Sequence, residues 1–399
     1  MIVLPERQVL ASAIKKKGMN RASDDSFIRP RAWNVWRQQR KASGINMTSV
    51  EFTCYDPGKK LPFRKGGGGF PLRDKAFYTP GAFSSKVLPT RGLLFIKPMK
   101  VGSSTAAGIN LRISKNMAER QHKGFPMCEN SYDHANGSLF RKRDKDNSFL
   151  WSFVRHPTKR AISWFFHFLV SRRNVKPNKS NFIGAMKTLK NYYLKLHSMH
   201  PLDQIKRSLI HTSSNTTGSS QTKMIKDYHQ EVINRILQDY NFIGITERFD
   251  ESLVVLQILL GIPLGDMLYL SSKVNGGYDD LCTYIQPSNV TNEMLEYLKS
   301  EDWKKRSAWD FIFYRAVNAS LDRTIDSLPG GRTRVTKNLA KFRAAKYVVE
   351  ERCQAEVKLP CSEGGEKRPL NETNCLFLDS ACAYSCIDEV AKELGIHGM

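Results

Sequence analysis

Residues 91–112 read RGLLFIKPMKVGSSTAAGINLR, a short apolar run that breaks into a turn rich in Lys, Gly and Ser and then into helix-forming sequence. Leu93, Leu94, Phe95 and Ile96 form the continuous apolar run that a buried parallel strand requires, and Lys97-Pro98 ends it. Gly102, Ser103, Ser104 and Thr105 supply a flexible turn, hydroxyl donors and a helix cap ahead of Ala106 and Ala107. A helix start presents amide N–H groups and a partial positive charge, and Lys97 and Lys100 add full charges, so the stretch is expected to cradle a phosphate or sulfate. An ordinary strand-to-helix turn capped by serine has the same local sequence, so the assignment needs support from elsewhere in the chain.

Support comes from the alternation that follows. The helix begun at the cradle is expected to run to about Arg120, ahead of an irregular segment over 124–147. A second buried strand is expected over 149–154, ending at once in Arg155-His156-Pro157, and helical spacing continues through KRAISWFFHFLVSRR. The basic, polar stretch 176–220 suits a lid or an acceptor-binding region, with one helix over 185–196. A helix over 231–239, a third strand over 241–246 (NFIGIT) and a helix over 249–260 (FDESLVVLQILL) come next, then helices over 292–300 and 303–326. Strands alternating with helices argue for an α/β core with a parallel sheet.

Composition bounds the partners. The chain has 399 residues, a net charge of +24 and 41% hydrophobic residues, enough for a sizeable core and basic enough to seek an acidic partner. No apolar run reaches the length of a membrane span, and the N-terminal MIVLPERQVLASAIKKKG is too broken for a signal peptide. Eight cysteines, five of them between Cys353 and Cys386, and seven N-x-S/T sequons point instead to a secretory lumen. The cysteines lack paired C-x-x-C spacing, so disulfides are expected and no metal site is. The five in the tail leave one to pair with Cys282, Cys128 or Cys54.

A second constellation, VRHPTKRAIS over 154–163, places Arg155 at the carboxyl end of a strand, where ligands gather in open α/β sheets, and Ser163 eight residues later. Arg offers a planar fork of donors to a phosphate, and Ser a hydroxyl. FIKPMKVGSST resembles the 5′-phosphosulfate loop, and FVRHPTKRAIS the 3′-phosphate motif, of sulfotransferases that use 3′-phosphoadenosine-5′-phosphosulfate. ITERFDESLVVLQILLG over 245–261 resembles the Phe-Asp-Glu-Ser-Leu segment of galactose-3-O-sulfotransferases and related Golgi glycan sulfotransferases, heparan-sulfate 2-O-sulfotransferase-like enzymes among them.

The resemblance implies a P-loop-like sulfotransferase fold of class α/β, with a central parallel sheet flanked by helices. It implies the phosphosulfate nucleotide as co-substrate, no metal, and a glycan acceptor that is anionic or galactose-containing, with no nucleic acid partner. Lys100 matches the family lysine at the bridging oxygen. Gly102, Ser103, Ser104 and Thr105 match the loop around the 5′ groups, and Arg155 and Ser163 the 3′-phosphate ligands. Lys97 is expected either to assist the donor or to sit at the strand's end. One departure stands out: where the galactose branch usually has Thr-His between the two lysines, this chain has Pro98-Met99.

Sulfuryl transfer also needs a base for the acceptor proton, and His134 is the leading candidate because imidazole titrates near working pH. His122, Glu129 and Asp133 are its rivals. Glu247 is left open, Asp250 and Glu251 are expected to serve the helix start, Ser252 to be exposed, and Gln221 and Lys223 to lie in an acceptor loop or a solvated turn. The expected organisation is a partly disordered basic extension over 1–88, a sulfotransferase domain over 89–330, and a basic linker with a cysteine-rich tail over 331–399. The expected setting is the Golgi lumen, as a type II membrane protein whose anchor is not visible in this sequence, or else a soluble or secreted protein. A noncatalytic polyanion-binding protein and a P-loop nucleotide kinase are the competing classes, the latter lacking G-x-x-x-x-G-K-[ST].

Overall fold

The computed structural model describes Cys54 and residues 91–121, 127–134, 136–200, 220–271, 277–279, 281–369, 372–375 and 382–398. The stretch read as a basic extension, Cys54 apart, lies outside these residues, as does His122. Four parallel strands form the central sheet: β1 (Gly92–Ile96), β2 (Asn130–Asp133), β3 (Ser148–Val154) and β4 (Phe242–Ile245), in the order β2-β1-β3-β4. β1, β3 and β4 are buried at every residue, which is why they read as largely apolar runs rather than alternating ones, Ser152 being the polar interruption in β3.

Helices flank the sheet. α1 (Ser103–Gln121) follows β1, and α2 (Pro157–Trp164) follows β3 and runs on into a π-helical stretch, Phe165–Ser171. Then come α3 (Lys179–Thr188), α4 (Tyr192–His197), α5 (Ser220–Asp239) before β4, and α6 (Phe249–Leu260) after it. α7 (Asn292–Lys299), α8 (Glu301–Ser327), α9 (Gly331–Cys353) and α10 (Tyr384–Glu393) complete the described helices. The class read from the sequence, α/β with a parallel sheet flanked by helices, is the one observed, consistent with a sulfotransferase fold.

Buried polar side chains fix α1 to this sheet. Asn110 takes the Trp151 indole proton at 2.8 Å and donates to Ser131 O at 3.3 Å, so one amide ties the helix to β3 and β2. At the other end of the chain, Arg112 donates to the Asp388 carboxylate of α10 at 2.7 Å and to the carbonyls of Gly265 and Leu268. Asp266, fully buried, accepts from Arg120 at 2.6 Å and from Asn116 at 3.0 Å. Cys353–Cys386 fastens α10 to α9, and Cys54–Cys128, Cys282–Cys361 and Cys375–Cys382 pair the remaining cysteines.

Several local expectations are corrected. The irregular segment after α1 contains β2, an edge strand whose NSYD sequence offers only Tyr132 as a large apolar residue and so carries no strand signature. The single helix expected over 185–196 is two, α3 and α4, broken at Asn191, whose left-handed φ of 53° ends any continuous helix. Ser252 is not exposed but fully buried, its Oγ accepting from Ile245 N–H at 3.0 Å. Residues 331–353, read as part of a basic linker, are the helix α9.

Candidate active site

The carboxyl ends of β1, β3 and β4 lie side by side, and each strand there turns into a helix: α1, α2 and α6. In an open parallel sheet this edge is the place where ligands bind. The cradle occupies the β1 turn. Lys100 adopts φ 66° and Gly102 φ 79°, so two left-handed residues within three fold the chain back before the helix. Ala106 N–H closes on Gly102 O at 3.1 Å, and the amides ahead of it point out of the end of α1. Ser103 and Thr105 are buried in this first turn.

The cradle rests on β4 and α6. Thr246 Oγ1 lies 2.8 Å from Val101 O and 3.1 Å from Val154 O, so one hydroxyl bridges the cradle to the end of β3. Beneath Gly102 lies the Phe249 ring, itself stacked on Phe153 at 4.7 Å between centroids. Neither Thr246 nor Phe249 is singled out by sequence reasoning; the FDESL run was the signal, but it pointed to its acidic residues.

Arg155 brings the second constellation to the first. Its Nη1 donates to Lys100 O at 3.2 Å, from a half-buried position in which burial lowers the guanidinium pKa against the raising influence of Glu247. Its backbone is held by Tyr193, whose hydroxyl accepts from Arg155 N–H at 2.9 Å and donates to Arg155 O at 2.6 Å. The neighbouring Tyr192 hydroxyl accepts from Met99 N–H, between the two lysines, at 2.8 Å. Ser163 lies half-buried near the end of α2.

His134 follows the end of β2, on the same edge of the sheet, and is exposed. Its Nδ1 lies 2.6 Å from Lys97 O, a carbonyl that can only accept, so Nδ1 carries a proton, and in the neutral ring Nε2 holds the lone pair. Lys97 itself is buried, with its ammonium 5.8 Å from the centre of the Tyr132 ring. Glu129 precedes β2 and therefore sits at the amino edge of the sheet, roughly 13 Å of strand from the cradle. Burial raises its carboxyl pKa, against the lowering influence of Arg91.

Glu247 stands beside Arg155, its carboxylate accepting from His156 N–H at 3.0 Å and from the Tyr314 hydroxyl at 3.1 Å. Burial lowers the pKa of His156, partly offset by Glu247, and raises that of Tyr314. Asp250 and Glu251 serve structure, as their position at the start of α6 suggests. Asp250 accepts from the Tyr269 hydroxyl at 2.7 Å, and Glu251 pairs with Arg248. Gln221 and Lys223 fall on the first turns of α5. Among the described residues, no group of three or more His, Cys, Asp or Glu is placed to hold a metal ion, and no helix is long and apolar enough to cross a membrane.

No solved structure matches the chain. The galactosylceramide sulfotransferase of Mus musculus is 29% identical over 127 residues, which are 31% of this chain and 26% of that protein. The chain therefore matches about a quarter of that relative's length. The family model for galactose-3-O-sulfotransferases matches residues 145–362, from just before β3 through the Arg155 turn, β4 and α6 to beyond α9. The cradle lies ahead of the matched residues, but β3 and β4 within them carry the turns on which it rests. With more than half of its length matched, the chain belongs to the galactose-3-O-sulfotransferase family.

Proposed function

We propose that this protein transfers a sulfuryl group from 3′-phosphoadenosine-5′-phosphosulfate to a hydroxyl of a galactose-containing glycan. The observation that carries the reading is the bond from Arg155 Nη1 to Lys100 O, through which the two anion-binding turns meet at the carboxyl edge of the sheet. In this reading the α1 amides, Ser103, Ser104 and Thr105 hold the 5′ groups, while Arg155 and Ser163 hold the 3′-phosphate. Lys100 stabilises the bridging oxygen as the bond from sulfur to that oxygen breaks and negative charge grows on it. The acceptor oxygen forms the new bond to sulfur, and His134 Nε2 takes the proton that this oxygen loses. Adenosine 3′,5′-bisphosphate and the sulfated glycan are the products. By analogy with phosphoryl transfer, positioning and electrostatics supply most of the rate.

The acceptor assignment draws on the name of the mouse relative, which acts on galactosylceramide, and on the family. Four disulfides among the described residues support folding in an oxidising secretory compartment such as the Golgi lumen. The test is incubation with labelled donor and a panel of glycans, comparing wild type with Lys100→Ala. Transfer to a galactose-terminated acceptor that the variant loses supports the reading; no transfer to any acceptor sinks it.

A further inference from the structure

The adjacent tyrosines at the start of α4 belong to neither anion-binding motif, yet each reaches one of them. Successive residues of a helix point about 100° apart, so one pair can address two loops. Tyr192 bonds the 5′ loop at Met99 N–H, and Tyr193 bonds both the N–H and the C=O of Arg155 in the 3′ loop. A single carboxylate holds the pair's backbone: Asp310 of α8 accepts from Tyr192 N–H at 3.0 Å and from Tyr193 N–H at 2.9 Å. Asp310 is 2% exposed, and α8 packs against β4, so the anchor is tied to the sheet itself. The Arg160 guanidinium, also 2% exposed, stacks 3.8 Å from the centre of the Tyr192 ring and supplies the charge opposite Asp310.

We propose that Tyr192 and Tyr193 are positioning residues that fix the distance between the 5′ loop and the 3′ loop, so that one nucleotide carrying both anionic groups is gripped at both ends. The inference rests on reading the site as a clamp for adenosine 3′,5′-bisphosphate. A ligand with two anchors gains from the second only if the loops are held at its span, because ordering them otherwise offsets the gain. If the rings served the core alone, removing a hydroxyl would lower stability and leave the ranking of ligands unchanged.

The test is calorimetric titration of the full chain, as wild type, Tyr192→Phe and Tyr193→Phe, with adenosine 3′,5′-bisphosphate, adenosine 5′-monophosphate and adenosine 3′-monophosphate. Both variants keep the ring against Arg160, and unfolding midpoints are recorded alongside. Tyr192→Phe and Tyr193→Phe are each expected to weaken the bisphosphate about five- to tenfold, the worth of one hydrogen bond, and to leave both monophosphates, each of which engages a single loop, within about twofold. An equal effect on all three ligands, or no effect of either variant on a bisphosphate that wild type binds, overturns the positioning role while the donor reading stands. Failure of wild type to bind the bisphosphate overturns both.

Discussion

Acidification from pH 7 to pH 5 should cost the fold about 2 kcal/mol through His197 alone. His197 is fully buried on α4, boxed by the rings of Tyr193, Tyr240 and Phe313, with Nδ1 3.0 Å from Tyr193 O and Nε2 3.0 Å from Ser152 Oγ. Burial pushes its pKa down from 6.5 to about 4, against a smaller raising influence of the Tyr193 carbonyl. The unfolded chain therefore binds the proton more tightly than the folded one. The stabilisation is fully present above the unfolded value of 6.5 and is lost as pH falls through the folded value of about 4. With those two values, the linkage integral between pH 7 and pH 5 is roughly 2 kcal/mol, out of the 5–15 kcal/mol typical of a folded domain. Burial lowers His156 and His397 as well, so the test is the difference between wild type and His197→Gln in urea-unfolding free energy across this range. The variant starts less stable, because its side chain does not fill the ring box, but its curve should be flatter by the same amount. Parallel curves would refute the reasoning, since they would mean that His197 takes up no proton on unfolding.

Three other outcomes follow from single contacts. Thr246→Val keeps the shape of the side chain but leaves Val101 O and Val154 O without the hydroxyl between them, and should lower unfolding free energy by about 1–3 kcal/mol and weaken bisphosphate binding with it. Asp388→Ala leaves the buried Arg112 guanidinium without its counter-ion and should cost about 3–5 kcal/mol by chemical denaturation, more than any exposed ion pair of α8. His134→Ala should lower kcat about 10²- to 10⁴-fold with little change in the affinity for adenosine 3′,5′-bisphosphate, and an unchanged kcat would remove His134 as the base.

The sheet was legible because its strands are buried on both faces. Leu93–Ile96 is a continuous apolar run, and Phe149–Val154 and Phe242–Ile245 are apolar apart from Ser152 and Gly244; burial on both sides is the physical reason for such runs. β2 escaped because an edge strand needs little apolar sequence, and its pairing with β1 comes from the register of the sheet rather than from NSYD. At the site, Lys100, Gly102 and Arg155 were legible as charge and turn chemistry at strand ends, and the structure brings Arg155 against the Lys100 carbonyl. Tyr192, Tyr193 and Asp310 were not. Their bonds join residues 38 to 118 positions apart, and their sequence surroundings look like ordinary amphipathic helix. Ser252 shows the same limit at short range: a serine one turn into a helix reads as exposed unless the strand end it bonds is known to lie above it.

Titration of wild type, Lys100→Ala and Arg155→Ala with adenosine 3′,5′-bisphosphate and with ATP, at low and at moderate salt, tests the donor assignment most directly. Saturable binding that prefers the bisphosphate over ATP, survives moderate salt, and weakens about ten- to a hundredfold in either variant is the expected result, as befits the loss of a charged hydrogen bond to phosphate. Equal affinity for ATP, or binding that disappears as salt is raised, would contradict it and leave the basic surface as a general polyanion binder.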